Sequence, residues 1–181
     1  VNKPNIGIIG GGIGGIAAAA ALQHFGFSAT VYEKSSELRE AGAGIMLWAN
    51  SARVVAELGL FEQLERASGP TTNFFVQTPR GKVLMDIETG DFEVPSVCVP
   101  RARLLSILST FVPTENLRLA HEFESFTQLK DKVQIKFKNN FVAEHDILIG
   151  ADGIHSRVRR QLFGVSHPVY RGYQIWRGIG S

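Results

Sequence analysis

The sequence predicts an α/β fold in which a parallel sheet made of βαβ units is interrupted by antiparallel β insertions. Three observations carry that expectation. An apolar run at residues 5–9 leads into a glycine cluster, an Ala-rich stretch and a second apolar run, all within about 30 residues, the length of one βαβ unit. Another apolar run, residues 146–149, feeds a second glycine turn, Gly150-Ala151-Asp152-Gly153, and a further helix-favouring stretch. Between these two units lie hairpin signals that break the βαβ rhythm.

Each element has a local reason. Residues 16–25 favour helix, with Ala19 and Leu22 on the buried side and Gly26 in the terminating position. Ala29 to Tyr32 forms the second strand. Residues 42–50 read as a glycine-rich loop, and residues 51–58 as a helix with Val54, Val55 and Leu58 on one face and Gly59 as its stop. A short helix comes next, in which Glu62 and Arg66 are spaced for an ion pair. Residues 73–77 and 82–87 are strands joined by the turn Thr78-Pro79-Arg80-Gly81. Residues 101–111 return to helix, with Leu104, Leu105 and Leu108 on one side and Pro113 beyond the end. Residues 117–120 are expected as a buried strand. Residues 132–138 and 141–144 alternate across Asn139-Asn140, which tolerate left-handed conformations and suit a tight hairpin. Residues 146–149 are expected as a buried strand before a helix that runs to Leu162.

Composition sets the class. The 181 residues are 44% hydrophobic and 20% charged, which is ordinary for a globular chain and excludes disorder and collagen-like repeats. The single Cys98 cannot form an internal disulfide, so a stapled secreted scaffold is not expected and the chain reads as cytoplasmic. Its apolar neighbours Val97 and Val99 place Cys98 in the core. A net charge of +2 is too balanced to argue for a nucleic-acid surface. Charge is uneven, however: from residue 151 onward five arginines (157, 159, 160, 171 and 177) face Asp152 alone. That end suits either a phosphate-bearing ligand or a solvated helix face. The glycines at 7, 10, 11, 12, 14 and 15 break the apolar run near the N-terminus, so neither a signal peptide nor a membrane segment is expected.

The glycine cluster fits the G-x-G-x-x-G dinucleotide fingerprint with Gly10, Gly12 and Gly15 in its three slots. Gly10 turns the chain, Gly12 lets the backbone approach a pyrophosphate, and Gly15 lets helix and strand pack closely. Glu33, 23 residues after Gly10 at the end of the second strand, stands where an acid accepts hydrogen bonds from ribose hydroxyls. A carboxylate there repels a 2′-phosphate and disfavours NADP, leaving NAD and FAD. The detour through hairpins favours FAD over a simple NAD domain. Asp152 comes after a strand and before a helix, where it either meets a ligand at the strand ends or caps the helix. His121-Glu122 leads to Ser125 where a zinc-protease helix needs histidine, and no other histidine pair has ligand spacing, so no metal site is expected. No G-x-S-x-G elbow is present. Trp176 and its aromatic neighbours suit a packed strand or a substrate cavity.

Together these motifs resemble the class A flavoprotein monooxygenases, the aromatic-ring hydroxylase family. The resemblance covers nearly the whole chain: the glycine fingerprint with Glu33, Gly42-Ala43-Gly44-Ile45, Val99-Pro100-Arg101 opening a Leu-rich helix, residues 150–159, and residues 170–178. Asp152-Gly153-Ile154-His155-Ser156-Arg157-Val158-Arg159 matches the family's D-G-x-x-S-x-V-R signature at every fixed position. The resemblance implies a Rossmann-like FAD-binding domain and the start of a substrate domain. Gly10, Gly12 and Gly15 would then hold the FAD pyrophosphate and Glu33 the adenosine ribose, with Lys34 adjacent. Gly44 and Met46 would approach FAD mainly through backbone, Arg101 would reach the flavin side, Phe123 would lie beside the adenine, and Asp152 would serve FAD and NAD(P)H binding. One departure is Ala49, where the family usually has proline.

The implied domains are residues 1–70 with 98–165 for FAD, and residues 71–97 with 166–181 for part of the substrate domain. The implied activity is hydroxylation, or epoxidation, of an aromatic or electron-rich small molecule with NADH or NADPH as transient cosubstrate. No residue takes a catalytic acid or base role. The family continues into a second Gly-Asp segment that this sequence does not contain, so the chain reads as an N-terminal portion, inactive alone and needing the C-terminal portion of the same enzyme. The alternatives are a noncatalytic nucleotide-binding fragment and a related flavin reductase.

Overall fold

A computed structural model describes residues 3–38, 44–89, 92–165 and 167–176. The chain divides into two packed units. The first takes its described residues from Val1–Glu40 and Leu108–Trp176, the second from Ala41–Ile107.

In order of sequence the first unit opens with β1 (Ile6–Ile9), α1 (Ile13–His24) and β2 (Ala29–Tyr32). The second holds β3 (Gly44–Leu47), α2 (Ala49–Glu57), α3 (Phe61–Arg66), β4 (Gly69–Pro70), β5 (Asn73–Gln77), β6 (Val83–Glu88), β7 (Val97–Pro100) and most of α4 (Arg101–Ser109). Back in the first unit come β8 (Leu117–Arg118), β9 (Phe123–Gln128), β10 (Val133–Phe137), β11 (Val142–His145), β12 (Ile147–Gly150) and α5 (Arg157–Phe163).

The first unit is a parallel sheet ordered β12-β1-β2-β8, with an antiparallel sheet β11-β10-β9 packed on it. All four residues of β1 are buried, as expected for a central parallel strand covered on both faces. Ile16, Ala19 and Ala20 of α1 are buried, and the small alanines let the helix lie close. A cluster of Ile9, Tyr32, Phe123, Val133, Ile135, Phe137 and Val158 joins the two sheets and α5. The hairpin between β10 and β11 turns at Asn140, whose φ is 64°, as its side-chain type allows. In the second unit β7 pairs antiparallel with both β3 and β4, β5 pairs with β6, and α2 and α3 bury Ala52, Val55 and Leu64.

The expected βαβ unit, both hairpins and the Glu62–Arg66 ion pair are present. Several expectations are corrected. Helix α1 starts at Ile13 rather than 16, because Gly14 and Gly15 form its first turn against the preceding loop. Residues 44–47 are strand, not loop, since β7 supplies a partner that local glycine content does not reveal. Helix α2 begins at Ala49, and Val54 is 51% exposed rather than sharing the buried face of Val55 and Leu58. Cys98 is exposed: in β7 the side chains alternate, so buried Val97 and Val99 turn it to the other face. Only Leu117–Arg118 of the strand expected over residues 117–120 pairs, because Ala120 turns away with φ 56°. Strand β12 lies at the edge of its sheet and is part-exposed instead of buried. Residues 170–176 form no strand, and Trp176 is 91% exposed. Gly42, Ala43, Arg177 and Gly178 lie outside the described residues.

Candidate functional site: a nucleotide cleft at the strand ends

Strands β1, β2 and β12 run side by side and end together. Gly10 donates its N–H to the Tyr32 carbonyl at 2.8 Å, and Ala151 donates to the Ile9 carbonyl at 2.7 Å, so the three chain ends stay tied one residue past the ladder. The carboxyl ends of parallel strands are where α/β sheets bind ligands. Here they open a cleft of about 410 Å³, walled by Gly10, Gly12, Tyr32, Glu33 and Lys34 on one side and by Phe123, Asp152 and Arg157 on the other.

The glycines shape this floor. Gly10 has φ 111°, a conformation closed to most side chains, and a Cβ on it would run into the Ala151 carbonyl. A Cβ on Gly15 would strike the carbonyl of Gly10, so α1 lies directly on the turn. Gly12 is the N-cap of α1 and supplies no capping side chain. Its first-turn N–H groups and the positive end of its dipole therefore suit an anion such as a diphosphate.

Glu33 is held in place by the backbone. Its Oε2 accepts from the Gly11 N–H at 2.6 Å and its Oε1 from the Ser35 N–H at 2.9 Å. Each carboxylate oxygen keeps a further lone pair for a ligand hydroxyl. The Glu33 backbone is tied to the chain in and just beyond β8: its N–H donates to the Arg118 carbonyl at 2.9 Å, and the His121 N–H donates to the Glu33 carbonyl at 2.8 Å.

Of the two roles weighed for it, Asp152 takes that of helix cap with one carboxylate oxygen. Its Oδ2 accepts from the backbone N–H of Arg157 at 2.6 Å and of Val158 at 3.2 Å, capping α5, while Ser156 Oγ accepts from the Arg159 N–H at 2.9 Å. Its Oδ1 is buried and has no partner. An unpaired buried acceptor costs about 1–3 kcal/mol, which a ligand donor in the cleft would relieve. Together, the glycine floor that a Cβ would fill, the uncapped helix and this orphaned oxygen fit a dinucleotide with hydroxyls and a diphosphate.

The rim is charged. Glu122 receives Lys138 at 2.7 Å and Arg157 at 3.0 Å, and Arg157 also donates to the Phe123 carbonyl at 3.2 Å. The Lys138 hydrogen bond, helped by the charges of Lys138, Arg157 and Lys34, holds the Glu122 carboxyl below its ordinary pKa. Arg157 thus ties α5 to the start of β9, closing one side of the cleft.

Of the residues expected from sequence, the structure brings Gly10, Gly12, Glu33, Lys34, Phe123 and Asp152 to one cleft and sets Gly15 beneath it. Gly44 and Met46 lie on β3 and Arg101 at the head of α4, in the second unit. Sequence reasoning missed Tyr32, His121 and Glu122 as lining residues, and read Arg157 only as part of a basic stretch suited to a phosphate-bearing ligand or a solvated face. Tyr32 had a usable signal, since it immediately precedes Glu33 at a strand's carboxyl end. His121 and Glu122 had none, because strand β9 was not foreseen. Among the described residues no three His, Cys, Asp or Glu side chains group as a metal site, and no helix is long and apolar enough to cross a membrane.

Comparison with known proteins agrees with this geometry. The chain is similar to 3-amino-4-hydroxybenzoate 2-monooxygenase of Streptomyces platensis, 34% identical over 98% of this chain and 46% of that protein. Among solved structures it is similar to 2,6-dihydroxypyridine-3-hydroxylase from Arthrobacter nicotinovorans, with a TM-score of 0.77 and 26% identity over 94% of this chain and 42% of that one. It is also similar to HpxO of Klebsiella pneumoniae complexed with FAD and uric acid, with a TM-score of 0.75 and 26% identity over 87% and 41%. The chain spans about half the length of the curated relatives it matches. A family model described as FAD binding domain matches residues 3–176, and the chain belongs to that family.

Proposed function

We propose that this chain is the FAD-holding portion of a monooxygenase that uses NADH or NADPH and O2 to hydroxylate an electron-rich aromatic small molecule. The observation that carries the reading is the cleft itself, in which the glycine floor, the pinned Glu33 and the orphaned Asp152 Oδ1 converge within a chain of the FAD binding domain family. Bound FAD supplies the redox chemistry, passing electrons from NAD(P)H to O2 so that one oxygen atom reaches the substrate.

The chain's own residues do the holding. Gly10, Gly12 and Gly15 let the backbone and the start of α1 meet the diphosphate, and Glu33 accepts from the adenosine ribose with Lys34 beside it. Phe123 presents its segment of β9 to the adenine, and Asp152 offers Oδ1 to a ligand donor while fixing α5. Gly44 and Met46 take part through backbone and Arg101 on the flavin side. In functional terms residues 1–70 with 98–165 serve FAD, and residues 71–97 with 166–181 begin the substrate domain, a division that differs from the packing units.

The substrate class is taken from the relatives, which act on an aminohydroxybenzoate and a dihydroxypyridine or hold uric acid. Dependence on reduced nicotinamide suits the cytoplasm. The test uses the full-length parent: with a panel of hydroxylated benzoates and pyridines, NAD(P)H oxidation should rise with one substrate, and its product should gain one oxygen atom from labelled O2. Label arriving from water instead would contradict the proposal.

A further inference from the structure

The most deeply built feature that the FAD reading leaves unused is a buried polar thread beneath the cleft. His145, the last residue of β11, is 4% exposed. Its ring fills the space left by Gly7 of β1: a Cβ on Gly7 would lie 2.8 Å from His145 Cδ2 and 3.1 Å from the Ile135 side chain. The missing side chain on the central strand is thus what admits an imidazole from the other sheet. Both ring nitrogens are engaged, Nδ1 with Asn5 Oδ1 at 3.1 Å and Nε2 with the Tyr32 hydroxyl at 2.9 Å.

These contacts fix the proton positions. The Asn5 oxygen only accepts, so Nδ1 carries the hydrogen and donates to it. Nε2 is then a lone pair, and the Tyr32 O–H donates to it. Asn5 is itself anchored, its backbone N–H donating to Asp146 Oδ2 at 2.7 Å and its carbonyl accepting from the Asp146 N–H at 2.9 Å. Burial pushes the His145 imidazole below its ordinary pKa, in keeping with the neutral ring this pattern requires, while Asp146 opposes that shift.

Tyr32 is the link to the cleft. It lines the cleft, and its ring packs on Phe137 at 4.6 Å between centroids, and near His121 at 5.9 Å. Tyr32 is only 4% exposed, so it meets the cleft from beneath: its carbonyl takes the Gly10 N–H at 2.8 Å, the next residue is Glu33, and its hydroxyl is spent on His145. We propose that His145, with its tautomer set by Asn5, is a positioning residue for cofactor binding that acts by fixing Tyr32 under the FAD cleft, and through it the Gly10 turn and Glu33. This rests on the FAD reading above.

The test compares variants of equal packing but different hydrogen bonding. In His145→Gln the amide oxygen can still accept from Tyr32, whereas His145→Leu fills the slot without an acceptor. Tyr32→Phe keeps the ring and removes the donor, and tests the same bond if His145→Leu fails to fold. FAD dissociation constants are read from flavin fluorescence. Loss of one buried hydrogen bond predicts roughly tenfold weaker FAD binding for His145→Leu and Tyr32→Phe, with His145→Gln near the parent value. Nitrogen-15 spectra of the apoprotein should show one Nδ1–H tautomer at His145, lost in Asn5→Ala.

A purely structural role would favour Leu in an apolar slot. Equal FAD affinity in parent and Tyr32→Phe, or equal losses in the Gln and Leu variants, would overturn the proposal, as would an Nε2–H tautomer. A parent chain that does not bind FAD at all would instead overturn the FAD reading and this inference with it.

Discussion

At the scale of single residues, Asp152 is where structure and chemistry meet most directly. One carboxylate oxygen is spent on the N-terminus of α5 and the other is buried without a partner. Asp152→Ala removes the cap and the unpaired oxygen together. Loss of the cap should lower stability by about 1 kcal/mol, a modest fall in the urea midpoint. FAD affinity should fall by roughly tenfold or more, because the ligand loses a charged acceptor. Unchanged FAD binding in a folded Asp152→Ala chain would show that Oδ1 faces no cofactor donor. Asp152 was legible as a candidate in the sequence, but the division of labour between its two oxygens was not. Strand, glycine turn and helix specify an acid at the junction, and only the folded loop shows which oxygen is occupied. Cys98 shows the opposite case: apolar neighbours suggested core, and strand alternation exposed it.

At the scale of elements, the residues that sequence reading placed best are those with strong local signals. The unit β1-α1-β2 and the hairpins β5-β6 and β10-β11 announce themselves through glycine, proline and asparagine at turns. Strands β3 and β7 do not, because each pairs with a partner far along the chain, and β9 does not because its connection to β10, residues 129–132, carries no glycine, proline or asparagine. The docking of β11 on β1 through His145 is likewise non-local, and it carries a pH dependence. The folded chain holds His145 below its ordinary pKa, so the unfolded chain binds more protons just below about pH 6.5. Stability should therefore be full above that pH and fall as the pH drops from it toward the depressed value. Urea unfolding of the parent and His145→Gln at a series of pH values from about 7.5 to about 5 checks this. The parent should lose more stability than the variant over that span, and parallel profiles would count against a neutral buried imidazole.

At the scale of the whole molecule, family membership and the cleft were both legible, because the fingerprint glycines, Glu33 and the segment 150–159 are contiguous motifs that fold onto neighbouring strand ends. The placement of Gly44, Met46 and Arg101 was not legible in the same way, since they belong to the second packed unit. The chain spans about half the length of its curated relatives, and its first unit holds the cleft. The most direct measurement is the visible absorption spectrum of the purified 181-residue chain after mixing with FAD and removing the excess by gel filtration. Retained flavin absorbance, shifted from that of free FAD, is the result the cleft predicts. A colourless chain that is nevertheless folded would contradict the claim that these residues hold the cofactor.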